Sequence, residues 1–437
     1  MKAHKGSMRA GIALIVLVLL CPGRSWSWGN TWLGINLELI VNDARGRMGS
    51  LKYNAALQLF TAGYDSDVYF GSTLKPVPDY TFTVGPNLRL FYPLAKGIVL
   101  DISEVPQYAF YLRTVPDRAL NNSFRSQIHF ALDRLYFQVG GKLVDAKERI
   151  STELNIHLRH REDDLTGLSF WQISKQTAVS LQYHSFQYAY ENAPDGSLNV
   201  GANLNRTERY LNLSAYLQQV ARSRFYLDAE YGSFVFKEPV SKYKDARSLG
   251  LFLGLAFLPP LAKEEQGKGI EGKINLGYKI FDFLDPRRVD YRGLVANSSL
   301  VLHIIDRTAL HGGFTRDIQF SAFSDIAIYI QTVYSAGFSR ALTRTVNFLY
   351  DFSYNRNSYV QPKDIPFLGA DEYFNHSFGL SFRLQKNLEL SFVANVGQRN
   401  RSLDPEPFHR NFFGFNLTYG YTSGDVSILE NPFSRYR

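Results

Sequence analysis

The chain has 437 residues, a formal net charge of +8, one cysteine and an aromatic content of 15%. Half of that charge surplus lies in residues 1–27, and the rest of the chain has 44 basic and 40 acidic residues. This near-neutral balance argues against nucleic-acid binding, which needs basic residues clustered on one face. The lone cysteine, Cys21, excludes a disulfide framework and a thiolate metal site.

Residues 1–27 have the three zones of a secretory signal peptide. A basic start is followed by an apolar run of ten residues and then by a small-x-small cleavage site, as seen in Lys2, Lys5 and Arg9, in Gly11 to Leu20, and in Ser25-Trp26-Ser27. A membrane-spanning helix needs about 20 apolar residues, so this run is too short to remain as an anchor. A lipoprotein signal ending at Cys21 is disfavoured, because Leu20 stands where that processing site needs a small residue.

After a short lead-in at residues 28–50, the chain alternates between apolar and polar residues with a period of two. From Tyr80 to Tyr92, the even positions are Tyr, Phe, Val, Pro, Leu, Leu and Tyr, and most odd positions are polar or glycine. An amphipathic helix would repeat its apolar residues every three or four positions, so this run predicts a strand. The same alternation returns along the chain at 153–159, 179–183, 211–217, 273–280, 346–354, 378–384 and 413–421.

The length of these runs predicts a transmembrane barrel. Strands of globular proteins have about 5–6 residues, whereas a tilted membrane-spanning strand needs about 9–11 in the hydrocarbon alone. Tyrosines lie near many strand ends, as an aromatic girdle requires. No later segment is apolar for long enough to be a membrane helix, and a soluble β-sandwich is the less favoured alternative because it uses shorter strands.

The connections also fit such a barrel, since short turns alternate with long polar segments at 192–205, 355–371 and 400–409. About nineteen candidate strands can be counted from Leu51 to Tyr421, and an even total is usual in a single-chain bacterial barrel. We therefore predict an all-β fold, a transmembrane antiparallel up-and-down β-barrel of about 16–18 strands at residues 51–421, with a tail at 422–437. The long segment 259–268 stands where a short turn is expected.

Closure of the barrel follows from the lack of hydrogen-bond partners in hydrocarbon, since an open sheet edge cannot face lipid. If the apolar residues face outward, the alternating charged residues must face the lumen. The charged or titratable residues predicted to face inward are Arg89, Asp101, Glu153, His157, Arg159, Asp228, Glu230, Lys273, Lys279, Asp351, Arg383 and Glu389. They mix both signs without a single-sign ring, so the sequence indicates no ion selectivity.

No catalytic, cofactor or metal site is predicted. A serine–histidine pair on one strand needs a spacing of two, but His184-Ser185 and His376-Ser377 are adjacent and so point to opposite faces. The spacing of His157 and His160 likewise separates them. The pair Asp163-Asp164 is interpreted as a solvated turn, as is Lys263-Glu264-Glu265. The run 284–288 is interpreted as a charged outer loop, with a substrate contact as the alternative.

Three segments resemble a known family. Ala62 to Tyr69 reads AGYDSDVY, Gln172 to Thr177 reads QISKQT before an alternating strand, and a longer region runs from Gly272 through Asp306-Arg307-Thr308 to Thr343. These segments resemble the β-barrel porin 2 family of bacterial outer-membrane proteins. The resemblance implies a monomeric-looking barrel, in many members linked to exopolysaccharide or capsule export loci, and it supplies no catalytic residues.

The sequence therefore predicts a porin-like channel in the bacterial outer membrane, associated through this resemblance with exopolysaccharide export, and not an enzyme. Two alternatives stay open: a non-conducting structural or adhesion barrel, and an outer-membrane lipid hydrolase with a pair contributed by different strands. The expected partners are outer-membrane lipid and lipopolysaccharide, the barrel-assembly machinery, and polysaccharide or small polar solutes. No cofactor and no nucleic acid are expected.

Overall fold

A computed structural model describes Leu37, Val41 and residues 44–69, 76–151, 153–154, 156–193, 199–220, 223–257, 269–305, 307–360, 369–401 and 407–422. The predicted signal peptide, the run Lys263-Glu264-Glu265 and residues 423–437 lie outside the described residues, as does the whole connection 258–268. None of the helices in the described ranges is long and apolar enough to cross a membrane.

The described residues form one large antiparallel sheet. A three-residue strand, β1 (Gly46–Met48), pairs with the start of the first long strand. The long strands of the first half are β2 (Leu51–Asp65), β3 (Asp79–Ala95), β4 (Ile98–Tyr111), β5 (Ala119–Ala131), β6 (Leu135–Glu148), β7 (Leu158–Gln172), β8 (Thr177–Tyr190), β9 (Arg206–Val220) and β10 (Ser223–Phe236). Those of the second half are β11 (Ala246–Phe257), β12 (Gly269–Phe283), β13 (Tyr291–Ile305), β14 (Thr308–Phe320), β15 (Ile328–Ala341), β16 (Val346–Val360), β17 (Ala370–Gln385), β18 (Leu388–Asn400) and β19 (Phe408–Gly420).

Each long strand pairs with its neighbours in sequence, and β19 pairs with β2, from Phe412 opposite Asp65 to Gly420 opposite Ala56. This last pairing closes β2–β19 into an 18-stranded barrel without a free edge. The predicted fold class and strand number are thus confirmed. The polar segment 355–371 is shorter than predicted, because residues up to Val360 continue β16 and β17 begins at Ala370.

The two ends of the barrel differ. One end has short turns such as Lys96-Gly97 and Lys386-Asn387, and we call it the short-turn end. The other, the long-loop end, has longer connections that include a helical turn at Val200–Leu204 and two 3₁₀ turns at Val115–Asp117 and Pro239–Lys244. In barrels of this class, short turns are periplasmic and long loops are extracellular.

Alternation along each strand separates an outer from an inner face. In β11 the side chains of Leu249, Leu251 and Leu253 are 57%, 56% and 63% exposed, whereas the residues between them are buried. A row of exposed leucines is unfavourable in water and favourable in contact with lipid, so these residues mark the outer face. The inner face of β8–β12 is buried along nearly its whole length.

Two groups of apolar side chains fill parts of the lumen. At the short-turn end, Leu37 and Val41 pack against Phe91, Tyr136 and Phe170 on the inner faces of β3, β6 and β7. Nearer the long-loop end, an aromatic cluster covers the inner faces of β8–β12, and its buried members include Phe186, Tyr210, Phe234, Phe281, Phe283 and Ile328. The barrel is therefore partly filled from both ends.

Candidate functional site

The inner wall carries paired charges. On β3 and β4, Arg89 makes a two-pronged contact with Asp101, with Nε and Nη2 donating to the two carboxylate oxygens at 3.0 and 2.8 Å. Arg125 and His129 lie 3.8 Å from the same carboxylate. Because Arg89 and Asp101 are both buried, each charge depends on the other for stabilisation.

A second charged group, Arg206 and Glu208 on the inner face of β9, contacts the aromatic cluster. Arg206 Nε donates to Glu208 Oε1 at 2.6 Å, and the Tyr210 hydroxyl donates to Glu208 Oε2 at 2.7 Å. The Arg206 guanidinium lies 4.5 Å from the ring centre of Tyr188 and 5.0 Å from that of Phe320. The cation is thus held by one carboxylate and two ring faces.

Four long loops meet in what we call the loop cluster. Its members are Glu153 and Leu154 from the β6–β7 connection, Val200, Asn203 and Leu204 from β8–β9, Ser241 and Lys244 from β10–β11, and Ser321 and Ala322 from β14–β15. All nine are less than one-tenth exposed. The β6–β7 and β14–β15 connections lie eight strands apart on a ring of eighteen, almost opposite each other. Eighteen strands spaced about 4.8 Å apart and tilted by about 40° enclose a ring roughly 36 Å across, so the loops must fold inward over the lumen to touch.

Polar contacts hold the loop cluster together. Ser321 Oγ and the Ala322 amide each donate to Glu153, at 2.8 Å. Lys244 Nζ donates to three backbone carbonyls, those of Ser321 at 2.9 Å, Phe323 at 3.1 Å and Asn203 at 3.4 Å. From the β18–β19 connection, Arg401 Nη2 donates to the Glu153 carbonyl at 3.1 Å.

Burial changes the acidity of the two charged members. Desolvation raises the pKa of Glu153 from 4.5 to about 7, even though its two hydrogen bonds and the nearby Lys244 favour the carboxylate. Desolvation lowers the pKa of Lys244 from 10.5 to about 7, with Glu153 acting in the opposite direction. Both groups therefore change charge near neutral pH while they hold the loops together.

The β14–β15 hairpin reaches the cluster because the sheet splits beside it. The pairing of β13 with β14 ends at Ala296 opposite Arg316, whereas β14 continues to pair with β15 as far as Phe320 opposite Ile328. Beyond the split, Ile318 and Phe320 pack onto the aromatic cluster of the inner wall. The hairpin tip thus leaves the wall and lies inside the mouth of the barrel.

The comparisons with known proteins agree with this architecture. The family described as "Putative beta-barrel porin 2" matches residues 163–420, more than half of the chain. The chain belongs to this family. It is a porin-like outer-membrane β-barrel, and two of the three resembling segments, those at 172–177 and 272–343, lie inside the matched region.

This porin is similar to solved porins at low sequence identity. OpdK of Pseudomonas aeruginosa is 8% identical, with a TM-score of 0.50, over 86% of this chain and all of OpdK. OccK2 (OpdF) of the same species, solved in complex with glucuronate, is 10% identical with a TM-score of 0.48 over 85% of this chain and 98% of its own. A BenF-like porin from Pseudomonas fluorescens Pf-5 is 10% identical, with a TM-score of 0.47 over 84% and 99%. No curated protein matches the chain.

In contrast to β8–β12, the inner wall of β15–β18 in this porin is largely open and uncharged. Cross-strand registers place hydroxyl and amide side chains in rows, for example Ser335, Ser353 and Asn375. Further inner positions of this kind are Gln331, Ser339, Asn347, Asn355, Asn357, Ser377, Ser381, Ser391 and Asn395. We call this surface the neutral wall. Its charged inner positions are Asp351, Asp371, Arg383, Glu389 and Arg399.

The structure places most of the predicted luminal charges inside the porin. Arg89, Asp101, Asp228, Glu230, Lys273 and Lys279 are buried on inner strand faces. Glu153 and His157 also lie inside, but in the loop before β7 and not on a strand. Arg159 is a wrong prediction: it shares the outer face of β7 with the exposed Leu165, and it pairs with Asp145 on the outer face of β6 at 2.8 Å.

The other sequence candidates have mixed outcomes. Asp163 and Asp164 are not a turn but lie within β7. His184 is buried on the inner face of β8 and bonds to Thr166 at 3.0 Å, while Ser185 is on the outer face, so this pair is split across the wall as predicted. His376 bonds to Tyr350 on the outer face, and Ser377 faces the lumen.

The 284–288 run forms an exposed loop in which Arg287 pairs with Asp285 at 2.7 Å, which agrees with the charged-loop interpretation. In the described residues, no group of three or more His, Cys, Asp or Glu could hold a metal ion. The sequence reasoning did not find the loop cluster. Its members come from four separate connections, and no local pattern in the sequence links them.

Proposed function

We propose that this porin is a passive channel of the outer membrane for small uncharged polar solutes, such as sugars, and that it catalyses no reaction. The observation that supports the proposal best is the neutral wall. Ser335 and Asn347 are exposed within the lumen, while the inner face of β8–β12 is buried along most of its length. A solute would thus cross along a surface that offers hydroxyl and amide partners without strong charge.

Neutral hydrogen-bonding groups replace the water around an uncharged polar solute at little cost, whereas they do not compensate for the dehydration of an ion. Ser381 and Ser391, whose hydroxyl oxygens are 2.8 Å apart, extend this surface toward the short-turn end. Arg383 and Glu389 face each other beyond them, near the turn, so these two charges offset each other.

The loop cluster argues against a polymer as the solute. Loops from nearly opposite sides of the barrel meet over the lumen, so the described residues already narrow the opening at the long-loop end. Export of an exopolysaccharide, which the family resemblance implies, is therefore not part of the proposal. A non-conducting barrel is the second candidate, because Leu37 and Val41 also occupy the short-turn end.

Liposome swelling and planar-bilayer conductance would test the proposal. We expect swelling rates with uncharged sugars that exceed those with charged sugars of equal mass, together with small conductance steps. Replacing two residues of the neutral wall, Ser335→Asp and Ser353→Asp, should slow sugar entry and shift the current toward cations. Absence of both swelling and conductance in a correctly folded barrel would favour the non-conducting alternative.

A further inference from the structure

The outer surface of β8–β12 is unusually rich in leucine. Nine exposed leucines lie on this face, namely Leu181, Leu211, Leu213, Leu217, Leu227, Leu249, Leu251, Leu253 and Leu276. The outer surface of β14–β17 is different, because aromatic rings dominate it, as in the row Phe314, Tyr334, Tyr354 and Phe374. We call the first surface the leucine face. Its flexible aliphatic side chains suit the packing of several acyl chains.

A polar row crosses the long-loop border of the leucine face. The strand registers align Ser185, Arg209, Ser233, Arg247 and Asp282 side by side on β8 to β12. On the outer face, Arg209 is the position just before the leucines of β9, and Arg247 is the position just before those of β11. Both arginines are exposed, and no hydrogen bond or ion pair within the described ranges involves either guanidinium.

The height of this row matches a membrane interface. Arg209 and Leu217 are separated by eight residues, about 27 Å along a strand and roughly 20 Å along the membrane normal at the usual tilt. The outward apolar band of such barrels is about 25 Å tall, so the row lies where the hydrocarbon ends. An arginine on the lipid side at this level costs little, whereas at the midplane it would cost several kcal/mol.

The spacing of the two arginines suits phosphate groups. They lie on alternate strands, so their backbones are about 10 Å apart, and both side chains can reach one headgroup. A guanidinium binds phosphate oxygens with two parallel hydrogen bonds, and Ser185 and Ser233 place hydroxyls beside each arginine. Arg292, 65% exposed and 4.0 Å from Asp282, adds a third cation, so the row carries three positive charges and one negative charge.

We propose that the leucine face and its polar row form a binding site for a phosphorylated lipid of the outer leaflet, of the lipopolysaccharide type. Acyl chains would pack on the leucines while Arg209 and Arg247 hold the phosphates. This site requires the outer-membrane orientation but not conduction through the lumen. Failure of the channel proposal would therefore leave it untouched.

The test is the binding of purified lipopolysaccharide to the folded barrel in detergent, measured by the shift of its unfolding temperature and by native mass spectrometry. We expect the wild-type barrel to bind phosphorylated lipopolysaccharide at least tenfold more tightly than the enzymatically dephosphorylated form. This comparison needs no variant. Equal binding of the two forms would refute the proposal, as would inorganic phosphate binding as tightly as the lipid.

A matched pair of double variants locates the site. Arg209→Gln with Arg247→Gln should weaken lipid binding tenfold or more. The control, Arg159→Gln with Arg161→Gln, removes the same charge from the outer face of β7, where Arg159 pairs with Asp145 and Arg161 with Asp163 at 2.9 Å. It should change affinity less than threefold. Equal losses in both double variants would show a general charge effect and overturn the assignment.

Discussion

Glu153 can be tested as the residue that keeps the inward-folded loops together. Glu153→Ala removes the acceptor of two buried donors, the Ser321 hydroxyl and the Ala322 amide. A buried donor left without a partner costs about 1–3 kcal/mol, so the closed arrangement should lose roughly 2–6 kcal/mol. Since 1.4 kcal/mol corresponds to a tenfold change in an equilibrium, even the lower value raises the open population about thirtyfold.

Cysteine labelling would measure this opening. The predicted mature chain contains no cysteine, and the Ala322 side chain is fully buried, so Ala322→Cys provides a reporter that reacts with a hydrophilic maleimide only when the loops separate. Labelling should be at least tenfold faster after Glu153→Ala. A matched control is Glu238→Ala, an exposed acid of the β10–β11 connection, which should leave the rate unchanged.

The same variant should also raise the single-channel conductance of the barrel without any added cysteine, because the loops would clear the mouth. Unchanged labelling and unchanged conductance in a folded Glu153→Ala barrel would refute the role given to this carboxylate. A faster rate in the Glu238→Ala control as well would show that any loss of charge loosens the loops.

Three further predictions follow from the inner and outer faces and from the loop cluster. Leu251→Arg should destabilise the barrel by about 2–4 kcal/mol, because it places a charge near the hydrocarbon midplane, whereas Leu349→Arg, at a position that faces the lumen, should cost less than about 1 kcal/mol. Urea unfolding of the two variants in vesicles measures these costs, and equal costs would contradict the assigned faces. Arg89→Ala should lower the free energy of unfolding by about 3–5 kcal/mol, because it leaves Asp101 buried without its main partner. Replacing both Arg89 and Asp101 by leucine should restore most of this stability in the same assay. A loss below about 1 kcal/mol in the single variant would argue against a buried ion pair. Labelling at position 322, normalised to an exposed cysteine at position 238, should accelerate as the pH rises from 5 to 7. The reason is the raised pKa of Glu153, whose contribution to the closed state is complete below pH 4.5 and is lost as the pH passes about 7, while the lowered pKa of Lys244 affects the closed state only above about pH 7. A Glu153→Gln barrel should show no such pH dependence of labelling, and a pH dependence that persists in this variant would assign the effect to another group.

The barrel itself could be predicted because the alternation of apolar and polar residues in the sequence is the same alternation that separates the outer from the inner face of the wall. Tyr80 to Tyr92 falls entirely within β3, and the residues of its even positions face outward as the alternation requires. The rule failed where charge was taken as a sign of the lumen. Arg159 lies near the long-loop end of β7, beyond the hydrocarbon, where a charged residue can face outward at little cost.

The loop cluster could not be predicted by the same reasoning. Glu153 and Ser321 are 168 positions apart, and their contact depends on a hairpin that leaves the wall where the β13–β14 pairing ends. No local period encodes such a split. The acidic pair Asp163-Asp164 illustrates a related limit, since a polar dipeptide can mark a turn or the part of a strand that extends above the membrane.

The pairing of β19 with β2 also has a consequence for biogenesis. The two strands that complete the hydrogen-bonded ring are the first and the last long strands in sequence order, and they pair with Asp65 opposite Phe412. Every shorter product of translation therefore exposes two unpaired edges that lipid cannot satisfy. Insertion must wait until the last strand has been made, and until then the chain depends on a protective environment in which its edges do not meet those of other copies.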